Sequence, residues 1–499
     1  MTSLSDTTLK NNPALHAWRG FHFGFEVGVL VEELSANGLT LLSPEGVRSR
    51  LKFPSSSIAE LLGPFTDGLS VDQMASALVA ETPDTQTVFG EILVALASRR
   101  LLRICWGGLD VSALSFQFAA SLPRLNRVQL PGDTVLELSG LAMLHRVEQE
   151  MVLDFPPTGL RIVLQVPAIV GWLTGFNGRD SMDSRRADFP LAKAGSEIDA
   201  LIEVLAGLGV LTGEKGASPV DLADNDSLAT WEPHNLFFYT QSHSGFNFGP
   251  LGAMPGFAPN TEVPPLTRRL NTMTSVELPV SLSGVSEPVV AGLLRERRSV
   301  RDFDSKQPVT LDELSALLFY TLKIQRTDWM AFQTPDGVKS MELAWGPSPT
   351  AGACHALEIF VCVSECRNLA SGIYAYDCLE HRLGLVADDS AANKMLASAA
   401  RSMGREISPP ITLIITVRFD RVFWKYRGVS MANILRDVGA LYQTLYLGAQ
   451  GIGLAGCAIG NVDLAGFEGV CGHPFYKEGP VGMFALGRPM GSEPMKKAY

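Results

Sequence analysis

The chain has 499 residues, of which 46% are hydrophobic and 19% charged, with a formal net charge of −11. That balance excludes a disordered or fibrous chain, and the length suggests about three globular domains. Double-stranded nucleic acid is a poor partner for so acidic a surface, because a phosphate backbone wants a basic face.

The N-terminus, MTSLSDTTLKNNPALH, has neither a basic n-region nor an apolar h-region, so no signal peptide is expected. Thr444–Asn461 carries no charge, but five glycines and a glutamine break it up, and no membrane association is expected. The seven cysteines, Cys105, Cys354, Cys362, Cys366, Cys378, Cys457 and Cys471, are odd in number and irregular in spacing. They read as reduced core thiols of a cytoplasmic protein, with no metal site. The histidines His234, His243, His355, His381 and His473 fall in no H-E-x-x-H or similar pattern.

The first 110 residues mix short strands and helices. Gly38–Phe53 reads as a hairpin around Pro44-Glu45-Gly46. Ser57–Leu62 and Val71–Val79 read as helices, the second opened by the capping box Ser70-x-x-Gln73. Val88–Leu101 is an amphipathic helix leading into a strand at Leu101–Ile104. The order then recurs: a hairpin within Leu136–Phe155, strand and helix within Leu160–Leu173, a helix over Ile198–Leu208 and a strand at Gly209–Thr212. This is a weak internal repeat of helix-plus-wing character. Modules of this kind bind DNA or peptides, and the acidic charge favours peptides. The expected divisions are 1–110 and 111–229 for the two modules, 230–292 for a Pro-rich linker or clamp, and 293–499 for a C-terminal domain. Gly213–Ala229 is polar loop, Trp231–Gly245 has the apolar centre of a short docked helix, and Phe246–Gly292 holds seven prolines and reads as extended.

The C-terminal part alternates helix and strand. Thr310-x-x-Glu313 is a capping box before a helix with Leu314, Leu317, Leu318 and Leu322 on one face. Leu357–Val363, Thr412–Val417 and Val481–Leu486 read as buried strands. Ile434, Val438, Leu441, Leu445 and Gly448 step as one side of a long helix. An α+β domain with a buried sheet is predicted.

Four segments carry chemistry. Arg297-Arg298-Ser299-Val300-Arg301-Asp302-Phe303 places three guanidiniums and a hydroxyl within five residues, a set suited to phosphate, although a solvated basic turn has the same composition. Trp345–Ala353 combines small residues and two prolines into a rigid turn that can press a flat ligand. Gly451-Ile-Gly453-Leu-Ala-Gly456 matches G-x-G-x-x-G, but a helix precedes it and a strand-like run follows. That context rejects a dinucleotide Rossmann site and leaves a Gly-rich helix end that a ligand can approach. Lys425-Tyr426 follows Phe423-Trp424. A lysine beside apolar rings can lose charge stabilisation and act as a base, with tyrosine as proton relay, or the pair can simply be amphipathic surface.

In this order the segments resemble the SagB-type dehydrogenases of the nitroreductase-like superfamily. Arg297–Phe303 is similar to that superfamily's R-x-S-x-R-x-F phosphate segment, and Pro347–Glu358 to its P-S-x-G-A…E turn and strand. Asp437–Tyr446 with Gly451–Gly460 is similar to its interface helix and glycine loop, Leu486–Pro489 to its closing strand end, and Trp231–Gly245 to the stretch ahead of the domain. Within the superfamily the chain most resembles the azoline oxidases of cyanobactin biosynthesis, which carry two winged-helix-like peptide-recognition modules and a Lys-Tyr pair. Thr350 replaces the commoner Ser, Asn235 a usual Asp, and Gly346 stands where Arg is frequent.

The resemblance implies an α+β nitroreductase-like FMN domain behind two such modules, acting as a homodimer on an azoline-containing precursor peptide. Arg297, Ser299, Arg301 and Arg488 would hold the FMN phosphate, and Arg298 beside them would also bind the cofactor. The flavin ring would meet the backbone near Ser348, Thr350 and Gly352, with Gly453, Leu454 and Gly456 close by. Lys425 and Tyr426 would be catalytic, moving the proton as a thiazoline or oxazoline becomes a thiazole or oxazole. Two other readings compete: an NAD(P)H-dependent nitro- or quinone reductase, and a non-catalytic peptide-binding scaffold.

Overall fold

The computed structural model describes Trp18, residues 21–213 apart from 27–28, 36–37, 44–47, 54–55, 67, 79–80, 100, 107–113, 120–129 and 194, then 226–248, and 290–490 apart from 335–336 and 473. Most of the Pro-rich 230–292 stretch therefore lies outside the described residues. The chain divides into two compact units. The first comprises 1–249 with 423–428 and 474–477, and the second takes the rest. Among the described residues no helix is long and apolar enough to cross a membrane.

The first unit opens with β1 (Phe21–Phe25), β2 (Leu30–Ser35), β3 (Gly38–Leu42) and β4 (Arg48–Lys52). Helices α1 (Ser56–Leu62), α2 (Val71–Leu78) and α3 (Pro83–Ser98) follow, with β5 (Leu69–Ser70) before α2. The hairpin expected around Pro44 is β3–β4, its turn outside the described residues, and the Ser70–Gln73 box closes as read, Ser70 N donating to Gln73 Oε1 at 2.8 Å. After β6 (Leu102–Trp106) and β7 (Leu114–Phe118) come β8 (Val135–Leu138), β9 (Met143–Val147), β10 (Glu150–Phe155) and β11 (Leu160–Leu164). Then follow α4 (Pro167–Thr174), β12 (Asn177–Ser181), α5 (Met182–Ala187), α6 (Gly195–Gly207), β13 (Leu211–Gly213) and α7 (Pro233–Gln241).

Two expectations need correction. The hairpin read over Leu136–Phe155 is narrower: β9 pairs with β10, whereas β8 pairs with β12 and β13. The sequence run merged two strands of different sheets, because alternation fixes a strand's faces but not its partner. The helix read from Val88 begins a turn earlier, where Thr82 caps it and Pro83 occupies the first position. A single seven-stranded sheet, ordered β5-β1-β6-β7-β11-β10-β9, draws on both stretches read as separate modules. Its core is aromatic: Trp18 meets Phe21 edge-on at 5.2 Å and Phe116 at 5.8 Å, and all three are fully buried.

The second unit contains α8 (Ala291–Glu296), α9 (Leu311–Leu322), the hairpin β14 (Arg326–Thr334) and β15 (Gly337–Trp345), then β16 (Leu357–Val363), β17 (Gly372–Asp377) and β18 (Arg382–Ala387). It continues through α10 (Asp389–Ser402), β19 (Ile411–Arg418), α11 (Ser430–Gly451), β20 (Ala455–Ile459), α12 (Leu464–Cys471) and β21 (Glu478–Gly487). The main sheet is antiparallel in the order β18-β17-β16-β19-β21-β20. On one face Ala392, Met395, Leu396 and Ala399 of α10 pack against Phe360, Ile414 and Met483. Helix α9 is capped as the sequence predicts: Thr310 Oγ1 accepts from Glu313 N at 3.2 Å, and Glu313 Oε2 accepts from Thr310 N at 2.9 Å. Helices α9 and α11 close-pack at Gly448, where a Cβ would lie against the Thr321 methyl and 3.2 Å from Leu317. The fold class is α+β.

Candidate functional site

Helix α8 ends at Arg297, and the arginine-rich segment leaves it as an extended strip. Val300 N donates to Gly456 O at 2.9 Å, which lays the strip beside β20. Tyr446 of α11 then organises its side chains. Its hydroxyl lies 2.8 Å from Ser299 Oγ and accepts from Ala458 N at 2.8 Å, while the Arg297 guanidinium stands 5.0 Å above its ring. A cavity of about 660 Å³ opens here, lined by Arg295, Glu296, Arg297, Arg298, Val300, Tyr446, Gln450, Gly453, Leu454, Ala455, Gly456 and Pro489. Its volume is that of a small-molecule or cofactor pocket, and its charge is mainly cationic. Gly453 has φ +77 and open space where a side chain would be, so the bare backbone faces outward. Gly456 is different: it is buried inside β20, and a Cβ there would strike the Phe484 ring and come within 2.5 Å of Ala485 O. Packing requires that glycine whatever it also does for a ligand.

The other end of the strip turns elsewhere. Arg301 and Arg488 line a second cavity of about 300 Å³, with Phe303, Val309, Ile407 and Pro410 among its walls. Arg488 Nη2 is paired with Glu313 at 2.7 and 2.9 Å, so the guanidinium is joined to the cap of α9, while its Nε is buried without a hydrogen-bond partner. Asp302 is paired with Arg405 at 2.7 Å.

The small-residue turn after β15 is the third place. Gly352, Ala353 and His355 adopt φ of +56, +55 and +44, left-handed values that are costly for the last two. The turn is held by Asp437 of α11, whose two carboxylate oxygens accept from Ala351 N at 2.9 and 3.0 Å. Burial pushes the Asp437 carboxyl up, against the pull of that amide. Thr350 Oγ1 accepts from His355 N at 3.3 Å, whereas Ser348 Oγ is buried with no partner. Ser348 and Thr350 border a small void of about 30 Å³ with Leu357 and Leu441. An orphaned hydroxyl beside a backbone turn held against the long helix suits a polar ligand edge.

Of the residues predicted to contact cofactor, the structure gathers Arg297, Arg298, Gly453, Leu454 and Gly456 in one cavity, with Ser299 tied to Tyr446 at its wall. Arg301 and Arg488 stand together in the second cavity, Ser348 and Thr350 in the small void, and Gly352 is exposed on the turn. Sequence reasoning assigned no role to Tyr446 or Asp437. They lie nine residues apart on α11, on opposite sides of the helix, so no shared face marked them in the sequence. Lys425 and Tyr426 belong to the first unit, half-buried, with the ammonium 5.7 Å from the Tyr426 ring.

At the far end of the same turn, Glu358 of β16 sits 2.9 Å from Arg418, and burial pushes its carboxyl up to about 7 despite that guanidinium. Its folded pKa is raised, so the folded state binds a proton that the unfolded chain has released. Stability from this group is full below the ordinary carboxylate range and is lost as the pH rises through about 7. Glu358→Gln should remove that fall, which amounts to about 3 kcal/mol at most. Urea unfolding of both proteins at pH 5 and pH 8 measures it, and the same pH slope in both would refute it.

The comparisons with known proteins fall on these two units. A protein of Methanocaldococcus jannaschii named as a nitroreductase, MJ1384, is 30% identical over 181 residues, which cover 36% of this chain and 83% of that protein. The chain belongs to the nitroreductase family. The Nitroreductase family model matches residues 294–488, which take in the arginine strip, the turn, the long helix and the closing strand. The model for cyanobactin oxidase ThcOx matches residues 136–247, within the first unit. The likeness to SagB-type dehydrogenases and cyanobactin oxidases read from the sequence stands on these two matches, and it makes this nitroreductase-family chain an oxidoreductase with a further region. Among solved structures, a chain of the Escherichia coli microcin synthetase McbBCD complex with truncated pro-MccB17 bound is 19% identical, with a TM-score of 0.37, and covers 53% of this chain and 97% of that one. A nitroreductase structure from Ralstonia eutropha is 20% identical, with a TM-score of 0.32, and covers 44% of this chain and 89% of that one.

Proposed function

We propose that the protein is an FMN-dependent azoline oxidase, converting thiazolines or oxazolines of a precursor peptide to thiazoles or oxazoles during maturation of a ribosomally made peptide. The observation that carries this reading is the coexistence in one chain of a nitroreductase-family region at 294–488 and a cyanobactin-oxidase region at 136–247. A reductase of small nitroarenes or quinones needs only the former.

The residues present fit FMN. The cavity at Arg297 and Arg298 offers forked donors for a phosphate, Gly453 offers bare backbone, and Ser348 holds an unpaired buried hydroxyl. When bound, FMN supplies the hydride acceptor that amino-acid side chains lack. The side chains would do the rest. Arg297 and Arg298 bind the phosphate, and Tyr446 keeps Ser299 turned to it. Asp437, through Ala351, keeps the turn in its left-handed shape. Lys425 accepts the proton next to the azoline carbonyl, and Tyr426 relays it to solvent. The protein would work as a cytoplasmic homodimer.

The test is the visible spectrum of the purified protein, followed by incubation with an azoline peptide in air. The expected result is a yellow protein that releases FMN on denaturation and removes two hydrogens per ring, read by mass. A colourless protein that takes up no FMN would return it to the scaffold reading. Turnover of a nitroarene with NADPH and none of the peptide would return it to the reductase reading.

A further inference from the structure

Lys425 and Tyr426 lie on a six-residue segment, 423–428, within the first unit. Two consecutive residues of the same unit grip it at both ends. Trp231 packs its indole edge-to-face on Phe423, ring centroids 4.7 Å apart, and its Nε1 donates to Tyr476 O at 2.9 Å. Glu232 Oε2 accepts from Gly428 N at 2.7 Å and from Asn235 Nδ2 at 3.1 Å. Only four residues separate the two anchor points, and the Lys-Tyr pair is the middle of them.

We infer that Trp231 and Glu232 are positioning residues for Lys425 and Tyr426, an inference that rests on the azoline-oxidase reading. The local chemistry favours this over simple packing. Glu232 is the N-cap residue of α7, where a side chain ordinarily accepts the helix's own amide, yet its carboxylate makes no such bond. It is turned instead to Gly428, whose φ of +70 lets the segment reverse at that point. A carboxylate accepting a backbone amide is a strong, directional bond. Trp231 and Asn235 are buried and Glu232 is half-buried, so the two anchor points are set within the packed part of the unit. A base must reach its proton within hydrogen-bond distance, and small misplacements of a catalytic group cost orders of magnitude in rate.

The experiment compares Glu232→Ala, Glu232→Gln, Lys425→Ala and the Glu232→Ala/Lys425→Ala double variant in the FMN-loaded, full-length protein. Glu232→Ala should lower kcat for azoline oxidation by about 10- to 100-fold with the peptide KM and flavin content unchanged. Glu232→Gln keeps an acceptor oxygen and should recover most of that loss. Because Glu232 acts through Lys425, the double variant should be no slower than Lys425→Ala alone. Hydrogen exchange of residues 423–428 supplies a readout apart from turnover: it should accelerate in Glu232→Ala and stay slow in Glu232→Gln. Additive losses, or unchanged exchange in Glu232→Ala, overturn the inference. Full oxidation by Lys425→Ala overturns it too. A wild-type protein that oxidises no azoline peptide while exchange still responds to Glu232 would show that the functional reading failed and the anchoring did not.

Discussion

Lys425→Ala is expected to lower the rate of azoline oxidation by about 10²–10⁴-fold while the protein stays yellow. The magnitude is that of a general base removed from a step in which a C–H proton must leave as a hydride departs. Water in its place is a far weaker base at neutral pH. Flavin retention is the necessary companion result, because Lys425 is not among the residues that line the arginine cavity. Fold integrity should also survive, since Lys425 is half-buried and the adjoining aromatic anchor is Phe423 rather than the ammonium. Single-turnover bleaching of the flavin by an azoline peptide, followed without oxygen, isolates the step. An unchanged rate would remove Lys425 from the mechanism and leave its neighbour Tyr426 as the group to test.

How far this could be read from the sequence depends on the kind of signal. Local devices were legible. The Thr310–Glu313 box caps its helix as read, because both bonds are made within four residues. Leu357–Val363 is a strand to the residue, because a strand buried on both faces is a near-continuous apolar run, here broken only at Glu358. The G-x-G-x-x-G match was correctly set aside, for α11 precedes it and β20 follows. Pairing was not legible. β8 could have joined β9, and only the folded chain joins it to β12 and β13. The hairpin β14–β15 escaped notice because it is largely exposed on both faces, so its apolar residues do not alternate with polar ones.

The candidate site divides the same way. The residue types suited to phosphate were evident, but not where each one points. Ser299 and Val300 are tied to Tyr446 and Gly456, and beyond them the strip turns Arg301 and Asp302 towards a different hollow. Nor could spacing show that 423–428 belongs with residues nearly two hundred positions earlier, since no periodicity links them.

That division of the arginines yields the second large effect. Arg297→Ala is expected to weaken FMN binding by about 10- to 100-fold, the worth of a charge-assisted bond to phosphate at about 1.5–3 kcal/mol. Arg488→Ala is expected to act on stability instead. Its guanidinium is committed to Glu313, and both side chains are about three-quarters buried, at 24% and 26% exposure. Removing it leaves the capping carboxylate of α9 without its cation, at a cost of about 1–2 kcal/mol and a few degrees in Tm. Fluorescence titration of FMN into the two apo-variants, with a thermal melt of each, separates the cases. The buried Nε of Arg488 is without a hydrogen-bond partner and could serve a ligand there. If Arg488→Ala lost flavin as severely as Arg297→Ala, the phosphate would have to reach the smaller cavity beside Arg301. The larger cavity at Tyr446 would then belong to some other part of the ligand.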